Sequence, residues 1–281
     1  MTSLIGNAPV DGVDVAALLG IPISAEQERA VQAPLKPCAV IAGAGTGKTT
    51  VMAARVVWLV ASRLVSPEEI LGLTFTNKAT AELSERIESN LTRVGLLTSE
   101  QPRPTVATYD SFAGTLVNDY GAWDGINTGA HLITGARAYQ LAAEVVMGLD
   151  KAPLAATHMG PTFIAQAVVK LAGAMASHDA SPGKVRRADA RWRQMLLAAP
   201  TKRGGDRYAD IDKWLSRVDE REELLDLVAA YQNLKKERGL VEFGDRMVQA
   251  LHLVTHHPRV GEELRARYRV VLLDEYQDTS S

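Results

Sequence analysis

Short apolar runs alternate with segments of helical periodicity in the first part of the chain. Residues 37–41 form a strand-like run, and residues 47–63 place apolar side chains at helical spacing. Over residues 24 to 120 this alternation predicts parallel strands joined by helical crossovers. Near the other end, residues 269–273 are a β-branched apolar run, which is typical of a strand buried on both faces of a sheet.

The strand pattern disappears in the middle of the chain. Four helical runs separated by Gly and Pro turns are predicted there, at residues 135–148, 162–177, 184–199 and 211–238. The pattern therefore predicts an α/β fold interrupted by an all-α insertion. The expected domains are an N-terminal extension at 1–22, the first part of the core at 23–120, the helical insertion at 121–234 and the return to the core at 235–281.

A glycine-rich segment lies between the first predicted strand and the helix that follows it. Residues 42–50 read AGAGTGKTT, and glycines in such a loop let backbone N–H groups point at phosphates. Lys48 would reach the β- and γ-phosphates of a nucleotide, and the Thr49 hydroxyl would bind Mg²⁺. The predicted nucleotide-binding residues of this P-loop are Ala42, Gly43, Ala44, Gly45, Thr46, Gly47, Lys48, Thr49 and Thr50.

Two carboxylates follow the last predicted strand. Asp274 and Glu275 come directly after residues 269–273, at the edge where phosphates bind in an open α/β sheet. Asp274 is expected to hold Mg²⁺ directly or through water, and Glu275 to orient and deprotonate the attacking water. Lys48, Asp274 and Glu275 are thus the predicted catalytic residues, with Thr49 and Asp274 as metal ligands and with ATP and Mg²⁺ as cofactors.

Three segments resemble motifs I, Ia and II of the UvrD/Rep/PcrA group of superfamily 1 DNA helicases. They are AGAGTGKTT at 42–50, LTFTNKATAELSERI at 73–87 and LLDEYQDTS at 272–280. In addition, ISAEQERAV at 23–31 is similar to the family's Q motif, and VEFGDRMVQAL at 241–251 to the segment that precedes motif II. The resemblance implies a RecA-like P-loop NTPase sheet with an inserted helical accessory domain.

Several residues singled out by the resemblance also have structural alternatives. Gln27 occupies the position of the adenine-recognising glutamine, yet Ser24 and Gln27 also have the spacing of a capping box. Phe75, Thr76 and Asn77 correspond to a segment that contacts single-stranded DNA, although an aromatic residue at the end of a strand is more often part of a core. We expect adenine contact at Gln27 and DNA contact at the other three.

The segment VATYDSFAGTL at residues 106–116 is similar to motif Ib. Thr108 and Tyr109 match that motif and are expected to contact DNA, whereas Asp110 stands where relatives commonly have histidine. A carboxylate facing phosphates is unfavourable, so Asp110 is interpreted as the N-cap of the following helix. This departure hints at a divergent branch closer to the helicase–nucleases.

Basic residues are numerous in the predicted insertion. They either contact DNA or form an ordinary solvated helix surface, and the second interpretation is favoured. The residues are Lys184, Arg186, Arg187, Arg191, Arg193, Lys202 and Arg203. Because the net charge of the chain is −2, any DNA affinity must come from a local groove and not from a global basic charge.

Cysteine usage and hydropathy bear on the compartment. Cys38 is the single cysteine and is expected to be a small buried thiol in the strand before the P-loop. The N-terminus lacks the pattern of a signal peptide, and Arg55 interrupts the apolar helix after the P-loop. Neither export nor membrane association is therefore expected, and a cytoplasmic location is predicted.

The motifs together predict the ATP-binding portion of a DNA helicase or translocase that acts on single-stranded DNA or on a single-strand/duplex junction. A role in DNA repair and a partner helicase–nuclease subunit are compatible with the resemblance. Hydrolysis is expected to need arginines from a second RecA-like domain outside these 281 residues. The 281-residue chain alone is therefore expected to be inactive and poorly soluble, with unpaired backbone groups beside Val40 and Leu272.

Two other functional classes are compatible with a P-loop. The alternative kept open is a nucleotide- and DNA-binding module without turnover. A P-loop kinase or a GTPase is weaker, because neither an acceptor site nor an NKxD-type motif is visible, and TNKA at residues 76–79 lacks the aspartate.

Overall fold

The chain folds into helices and short parallel strands, as a computed structural model shows for residues 12–43, 45–149, 160–202 and 205–278. The helices are α1 (Val15–Leu19), α2 (Ala25–Val31), α3 (Lys48–Ala61), α4 (Asn77–Arg93), α5 (Tyr109–Tyr120), α6 (Gly135–Met147), α7 (Pro161–Ser177), α8 (Pro182–Leu197), α9 (Ala209–Glu237), α10 (Phe243–His256) and α11 (Pro258–Arg267). The strands are β1 (Ile70–Thr74), β2 (Thr105–Thr108), β3 (His131–Leu132), β4 (Leu240–Val241) and β5 (Val270–Leu273). No helix within these ranges is long and apolar enough to span a membrane.

The described residues divide into two compact units. One unit comprises the chain up to Thr115 together with the part that starts at Val254, and the other comprises Leu116–Leu253. The sequence places its domain boundaries at 120/121 and 234/235, and both of these lie within the second unit.

The first unit is built on a three-stranded parallel sheet in the order β2–β1–β5. Leu71 of β1 lies opposite Thr105 of β2, and Ile70 lies opposite Val270 of β5. All residues of β1 are buried, as expected for a strand with a neighbour on both sides. Helices α1 to α4 bury apolar side chains in one core with Ile70 and Val270. The parallel sheet predicted from the sequence is therefore present.

Residues 37–41, which the sequence predicts as a strand, form none in the structure. Val40 is 57% and Ile41 is 97% exposed. Cys38, expected to be buried in that strand, is exposed as well. Both predictions are wrong, because a strand exists only where its backbone pairs with a neighbour, and the described sheet of β2, β1 and β5 gives this segment no pairing partner.

β5 differs from the expectation of a strand buried on both faces. Val270 is only 6% exposed, but Val271 is 49% and Leu273 is 41% exposed. β5 pairs with β1 alone within the described sheet, so it is an edge strand, and the protection that a central strand has does not extend to it. A continuous apolar run predicted the strand itself correctly but not its burial.

The second unit is mainly helical. The four helices predicted in the middle of the chain are confirmed as α6, α7, α8 and α9, and α6, α7 and α9 share a core in which Leu141, Val168 and Leu225 are fully buried. The unit is not all-α, however, because β3 and β4 form a parallel ladder with His131 opposite Leu240. Two-residue strands are too short to give a strand pattern in a sequence.

Candidate nucleotide-binding site

The P-loop leads from an irregular segment into the first turn of α3. Gly45 and Gly47 have φ angles of 75° and 82°, a left-handed conformation in which other residues are strained. The N-cap of α3 is Gly47, which has no side chain to satisfy the first N–H groups of the helix. Such a helix N-terminus favours an anion. The local geometry is therefore suited to a phosphate group, and phosphate binding by the loop stays a prediction.

The other predicted loop residues take up positions around this turn. The Thr46 hydroxyl donates to the Gly43 carbonyl at 2.8 Å, which closes the loop on itself. Thr49 and Thr50 lie half-buried in the first turn of α3, and Ala42 is half-buried before the loop. Ala44 is the one predicted loop residue that lies outside the described residues.

Gln27 connects α2 to the P-loop. The Gln27 N–H donates to Ser24 Oγ at 3.2 Å, and the Ser24 N–H donates to Gln27 Oε1 at 2.9 Å, so the two residues form the capping box that their spacing predicts. The amide nitrogen of the same side chain donates to the Thr46 carbonyl at 3.0 Å. Gln27 therefore fixes the loop as well as its own helix, and its contact with adenine stays a prediction.

Two carboxylates lie beside the P-loop lysine at the end of β5. Lys48 Nζ is 3.7 Å from Glu275 Oε1. The Asp274 N–H donates to the Leu73 carbonyl at 2.9 Å, which anchors the turn to β1. Glu275 has a φ of 49°, which is uncommon for a residue other than glycine and is found most often at functional sites. The structure thus brings Lys48, Asp274 and Glu275 together, while their catalytic roles stay predictions.

The acidic pair has an electrostatic environment that suits a cation. Burial raises the pKa of the Asp274 carboxyl, and the adjacent charge of Glu275 raises it further. The Glu275 N–H and the Lys48 ammonium act in the opposite direction. A carboxylate whose negative charge is disfavoured in this way would be stabilised by a cation placed next to it. The hydroxyl of Thr49 and the carboxylate of Asp274 are oxygen ligands of the kind that Mg²⁺ prefers, and their binding of the cation stays a prediction.

Tyr109 joins the predicted DNA-contact residues to this acidic turn. Its hydroxyl donates to the Asp274 carbonyl at 3.1 Å. Its ring packs on that of Phe75, with the two centroids 5.2 Å apart. Burial raises the pKa of Tyr109 to about 12, and the charge of Asp274 acts in the same direction. The Tyr109 hydroxyl therefore keeps its proton and can donate. From the sequence, Tyr109 is predicted only as a DNA-contact residue.

The remaining predicted DNA-contact residues differ in accessibility. Phe75 is 45% exposed, and Thr76 and Asn77 are exposed at the start of α4. The Thr76 hydroxyl accepts from the Ala79 N–H at 3.1 Å and so caps that helix. Thr108, in contrast, is only 8% exposed. DNA contact at all these positions stays a prediction, and Phe75 and Asn77 have the freest side chains for it.

The interpretation of Asp110 as an N-cap is wrong. α5 begins at Tyr109, so Asp110 lies inside its first turn. The capping group is the Thr108 hydroxyl, which accepts from the Ser111 N–H at 3.0 Å. Thr is itself a preferred N-cap residue, and Thr108 is the residue directly before the helix because β2 ends there and α5 begins at Tyr109.

Two arginines support the site and were missed by sequence reasoning. Arg86 of α4 donates to the Thr50 hydroxyl at 2.7 Å, next to the P-loop. Arg55 of α3 is buried and donates to the carbonyls of Val31 and Ala33 at 2.9 and 2.8 Å, at the end of α2. Arg55 had one visible signal, since a charged residue inside an apolar helix needs partners when it is buried. Arg86 had none, because residues 36 positions apart meet only in the folded chain.

The fold and the site together define a class. A parallel sheet, a glycine loop at the start of a helix and an acidic pair beside the loop lysine are typical of P-loop nucleotide-binding proteins. Comparison with known families is more specific: the UvrD/REP helicase N-terminal domain matches residues 23–281. The chain belongs to this family.

Curated relatives agree with the family. The chain is 27% identical over 263 residues to ATP-dependent DNA helicase UvrD1 of Mycobacterium leprae, covering 92% of this chain and 29% of the relative. It is 28% identical over 269 residues to DNA helicase II of Haemophilus influenzae, covering 95% of this chain and 32% of the relative. A probable DNA helicase II homolog of Rickettsia felis is 25% identical over 258 residues. The chain therefore spans about a third of the length of these relatives.

Proposed function

We propose that this chain is the ATP-binding portion of an ATP-dependent DNA helicase or translocase that acts on single-stranded DNA or on a single-strand/duplex junction. The single observation that carries the proposal is the arrangement at the P-loop, where Lys48 Nζ lies 3.7 Å from the Glu275 carboxylate and Asp274 is adjacent. The names of the relatives support ATP and DNA as the ligands. Hydrolysis in this proposal also depends on a second RecA-like domain.

Lys48 is held in a state that lets it change partners. Its side chain is 34% exposed and that of Glu275 is 39% exposed, and an ion pair with this much access to water is weak. The ammonium group can therefore leave Glu275 for the β- and γ-phosphates, which carry more charge. Gly45, Gly47 and the first turn of α3 supply the backbone N–H groups that complete the phosphate cradle.

Thr49 and Asp274 would hold Mg²⁺. The cation, when bound, supplies positive charge that neutralises the phosphate oxygens. Asp274 is positioned for this role by two fixed bonds of its own peptide, since its N–H donates to Leu73 and its carbonyl accepts from Tyr109. Its carboxylate is therefore presented from a rigid turn.

Glu275 is the proposed general base. Release of Lys48 to the phosphates leaves Glu275 Oε1 without its ion-pair partner and available to accept a proton from the attacking water, while Gln277 donates to the other oxygen, Oε2. The left-handed backbone at this residue keeps the carboxylate beside the P-loop lysine. Gln27 would recognise adenine from the other side of the loop, where it already contacts Thr46.

DNA contact is proposed at the ends of β1 and β2. The exposed Phe75 ring would stack on a base, and Thr76 and Asn77 would contact the backbone of the strand. Tyr109 and Thr108 complete the proposed set. Tyr109 packs on Phe75 and donates a hydrogen bond to the Asp274 carbonyl. A DNA strand that binds Phe75 would therefore affect the position of the acidic turn through Tyr109. This contact would link DNA binding to hydrolysis.

Replacement of Glu275 by Gln in the full-length protein tests the proposal. The amide can still orient water but cannot accept its proton, so ATP hydrolysis stimulated by single-stranded DNA should fall by about 10² or more. Mg²⁺–ATP affinity, measured by calorimetry, should change by less than about threefold, because Glu275 is not a proposed ligand of the nucleotide.

The matched control is Glu262→Gln, an equal chemical change at an exposed position of α11 in the same unit. It should leave both quantities unaltered. If the wild-type protein binds ATP and DNA without any turnover, the chain is a binding module and the enzymatic part of the proposal is wrong. Full hydrolysis by the Glu275→Gln protein would instead refute the assignment of the base.

A further inference from the structure

Two tryptophans are exposed side by side on the second unit. Trp192 of α8 and Trp214 of α9 have ring centroids 6.1 Å apart in an edge-to-face arrangement. Trp192 is 51% and Trp214 is 47% exposed. Single exposed aromatic residues are common, but adjacent exposed ones form an apolar patch of the kind found at binding surfaces.

One ring of this pair and a third aromatic residue nearby in the sequence each have a cation over them. The Arg217 guanidinium lies 5.6 Å from the centre of the Trp214 ring. In the loop between α8 and α9, Lys202 Nζ lies 5.6 Å from the centre of the Tyr208 ring, which is itself 51% exposed. We call Trp192, Trp214, Arg217, Lys202 and Tyr208 the aromatic–basic surface.

Helices α8 and α9 are held together by residues other than the two tryptophans. Asp189 is the only buried residue of α8 in the described chain, and it accepts from Arg221 of α9 at 2.8 Å. Arg186 of α8 donates to Glu222 and Asp226 at 2.6 and 2.7 Å. The two helices are therefore joined mainly by ion pairs, and the exposed indole faces are available for something else.

These ion pairs also sort the basic residues of the predicted insertion. Arg186 and Arg193 face carboxylates of α9, and Lys184 pairs with Asp179 at 3.3 Å, so these three serve the fold. Arg191 makes no ion pair with any described residue, and Arg203 lies outside the described residues. These pairs give three of the basic residues a structural role, and for the others both interpretations stay open.

The charge of this region is opposite to that of the chain. Residues 191–217 contain seven basic and three acidic residues, and one of the basic residues, Arg193, is paired with Asp219 outside this range. The whole chain, in contrast, has a net charge of −2. One of the three acids, Asp212, is already paired with Arg207 at 3.3 Å. The positive charge at the aromatic–basic surface is therefore local, and its natural complement is a polyanion.

We propose that the aromatic–basic surface is a second binding site for single-stranded nucleic acid. Trp192 and Trp214 would stack on bases, and Arg217 and Lys202 would contact phosphates. Tyr208 and Trp214 are six residues apart, or roughly 9 Å along α9, so a strand of a few nucleotides can reach both. The inference rests on the proposed function, since it adds a second site for the same class of ligand.

Exposed aromatic residues also occur at protein interfaces, and the charge decides between the two occupants. Aromatic residues and arginine are enriched at protein interfaces as well, whereas lysine is depleted there relative to the rest of the surface. The aromatic–basic surface places a lysine, Lys202, over the Tyr208 ring, in addition to Arg217 over the Trp214 ring. This pairing of rings with cations is the arrangement that binds a single strand with little sequence preference.

The test compares full-length proteins by fluorescence anisotropy with a labelled oligothymidylate of about twenty nucleotides, chosen to exceed one single-strand site. Stacking of one base on an aromatic ring corresponds to roughly a fivefold to 150-fold change in affinity. Trp192→Ala/Trp214→Ala should therefore weaken binding by about tenfold or more. The affinity for ATP in the absence of DNA, which involves neither residue, should stay as in the wild type.

The matched control is Trp123→Ala in the same unit. Trp123 is 47% exposed, like Trp214, and packs edge-to-face on Tyr120 at 5.3 Å, but it lies outside the aromatic–basic surface. Its removal should change oligonucleotide affinity by less than about twofold. An equal loss in the control would overturn the proposal, because the effect would then belong to any exposed tryptophan.

A second variant keeps the test valid if the double substitution disturbs folding. Arg217→Gln alters an exposed residue and should reduce the slope of log affinity against log salt concentration by about 0.7, the value for one lost phosphate contact on a single strand. An unchanged slope would contradict the proposed phosphate contact.

The outcomes separate this inference from the proposed function. If the wild type binds the oligonucleotide and the double tryptophan variant binds it equally well, the second site is refuted while the function stands. Equal DNA affinity together with an altered sedimentation coefficient would assign the surface to a protein contact and also refute it. Failure of the wild type to bind any oligonucleotide would refute both.

Discussion

Two lysines of this chain face carboxylates in opposite surroundings, one in each unit. Lys235 of α9 is 2% exposed, and its ammonium lies 2.6 Å from Glu242 and 2.5 Å from Asp245. The Tyr231 hydroxyl donates to the same Glu242 oxygen at 2.8 Å. Burial, and then the bond to Glu242, raise the pKa of Tyr231 above its ordinary value. Lys48 has a single carboxylate at 3.7 Å and a side chain that is 34% exposed.

The difference shows how environment separates a structural cation from a functional one. In the interior an ammonium group has no water to replace its partners, so Lys235 must keep both carboxylates and fixes the end of α9 to the start of α10. Near the surface water competes for the ammonium, so Lys48 is held weakly and can take another anion. The same side chain therefore serves as a clamp in the second unit and as an exchangeable charge in the first.

The largest expected effect comes from Lys235→Met. Two partly buried carboxylates, 25% and 18% exposed, would lose the buried cation that pairs them, which should lower the free energy of unfolding by about 3 kcal/mol. Urea denaturation followed by circular dichroism measures it. The control is Lys236→Met at the next, exposed position of α9, which should change stability by less than about 0.5 kcal/mol. An equal loss of stability in the two variants would contradict the structural role of Lys235.

The same substitution at Lys48 should have little effect on stability and a large effect on ATP affinity. Lys48→Met removes an exposed ion pair and should alter stability by less than about 1 kcal/mol. ATP affinity, measured by calorimetry, should fall by about tenfold or more, with residual binding from the backbone N–H groups of the loop. Lys78→Met, at a side chain that is 87% exposed on α4, is the control. Unchanged ATP affinity would show that Lys48 does not bind the nucleotide and would contradict its role as a functional cation.

A smaller and more selective effect is expected for Asp274→Asn. One negative charge at about 4 Å from a cation is worth ~1 kcal/mol in water and more near a protein surface. The Mg²⁺ concentration needed for half-maximal ATP hydrolysis by the full-length protein should therefore rise by roughly tenfold. Glu275→Gln should not shift this concentration. Identical Mg²⁺ dependence in the two variants would mean that the roles of the two carboxylates are wrongly assigned.

The smallest expected effect is that of Tyr109→Phe. The change removes only the hydrogen bond to the Asp274 carbonyl, worth about 1 kcal/mol, and keeps the ring on Phe75. Stimulation of ATP hydrolysis by DNA should fall by a few fold, while ATP affinity without DNA should stay the same. Tyr268→Phe, whose hydroxyl bonds to Thr105 at a longer 3.4 Å, is the control. Equal stimulation in both variants would show that the hydroxyl does not link the two contacts.

Local chemistry made several features of the site predictable. The Gly45 and Gly47 turn, the start of α3 at Lys48 and the capping box of Ser24 and Gln27 each depend on residues a few positions apart. The helices α6 to α9 follow in the same way from apolar spacing and from Gly and Pro turns. Such features form wherever the sequence places the right neighbours, so a linear pattern is enough to find them.

The features that the sequence missed depend on distant residues. Residues 37–41 have a strand pattern but pair with no described neighbour, and the exposure of Val271 depends on what covers β5. Arg86 meets Thr50, and Tyr109 meets Asp274, across separations of 36 and 165 residues. No local pattern encodes such meetings, because they result from the register of strands and the packing of helices.

The sequence by itself determined the P-loop, the acidic pair after β5 and the family to which the chain belongs, because these are carried by short runs of residues in fixed order. Only the tertiary structure decided that Lys48 stays exposed and loosely paired while Lys235 is buried between two carboxylates. The physical reason is that the strength of an ion pair depends on its access to water, and access to water is a property of the packed chain.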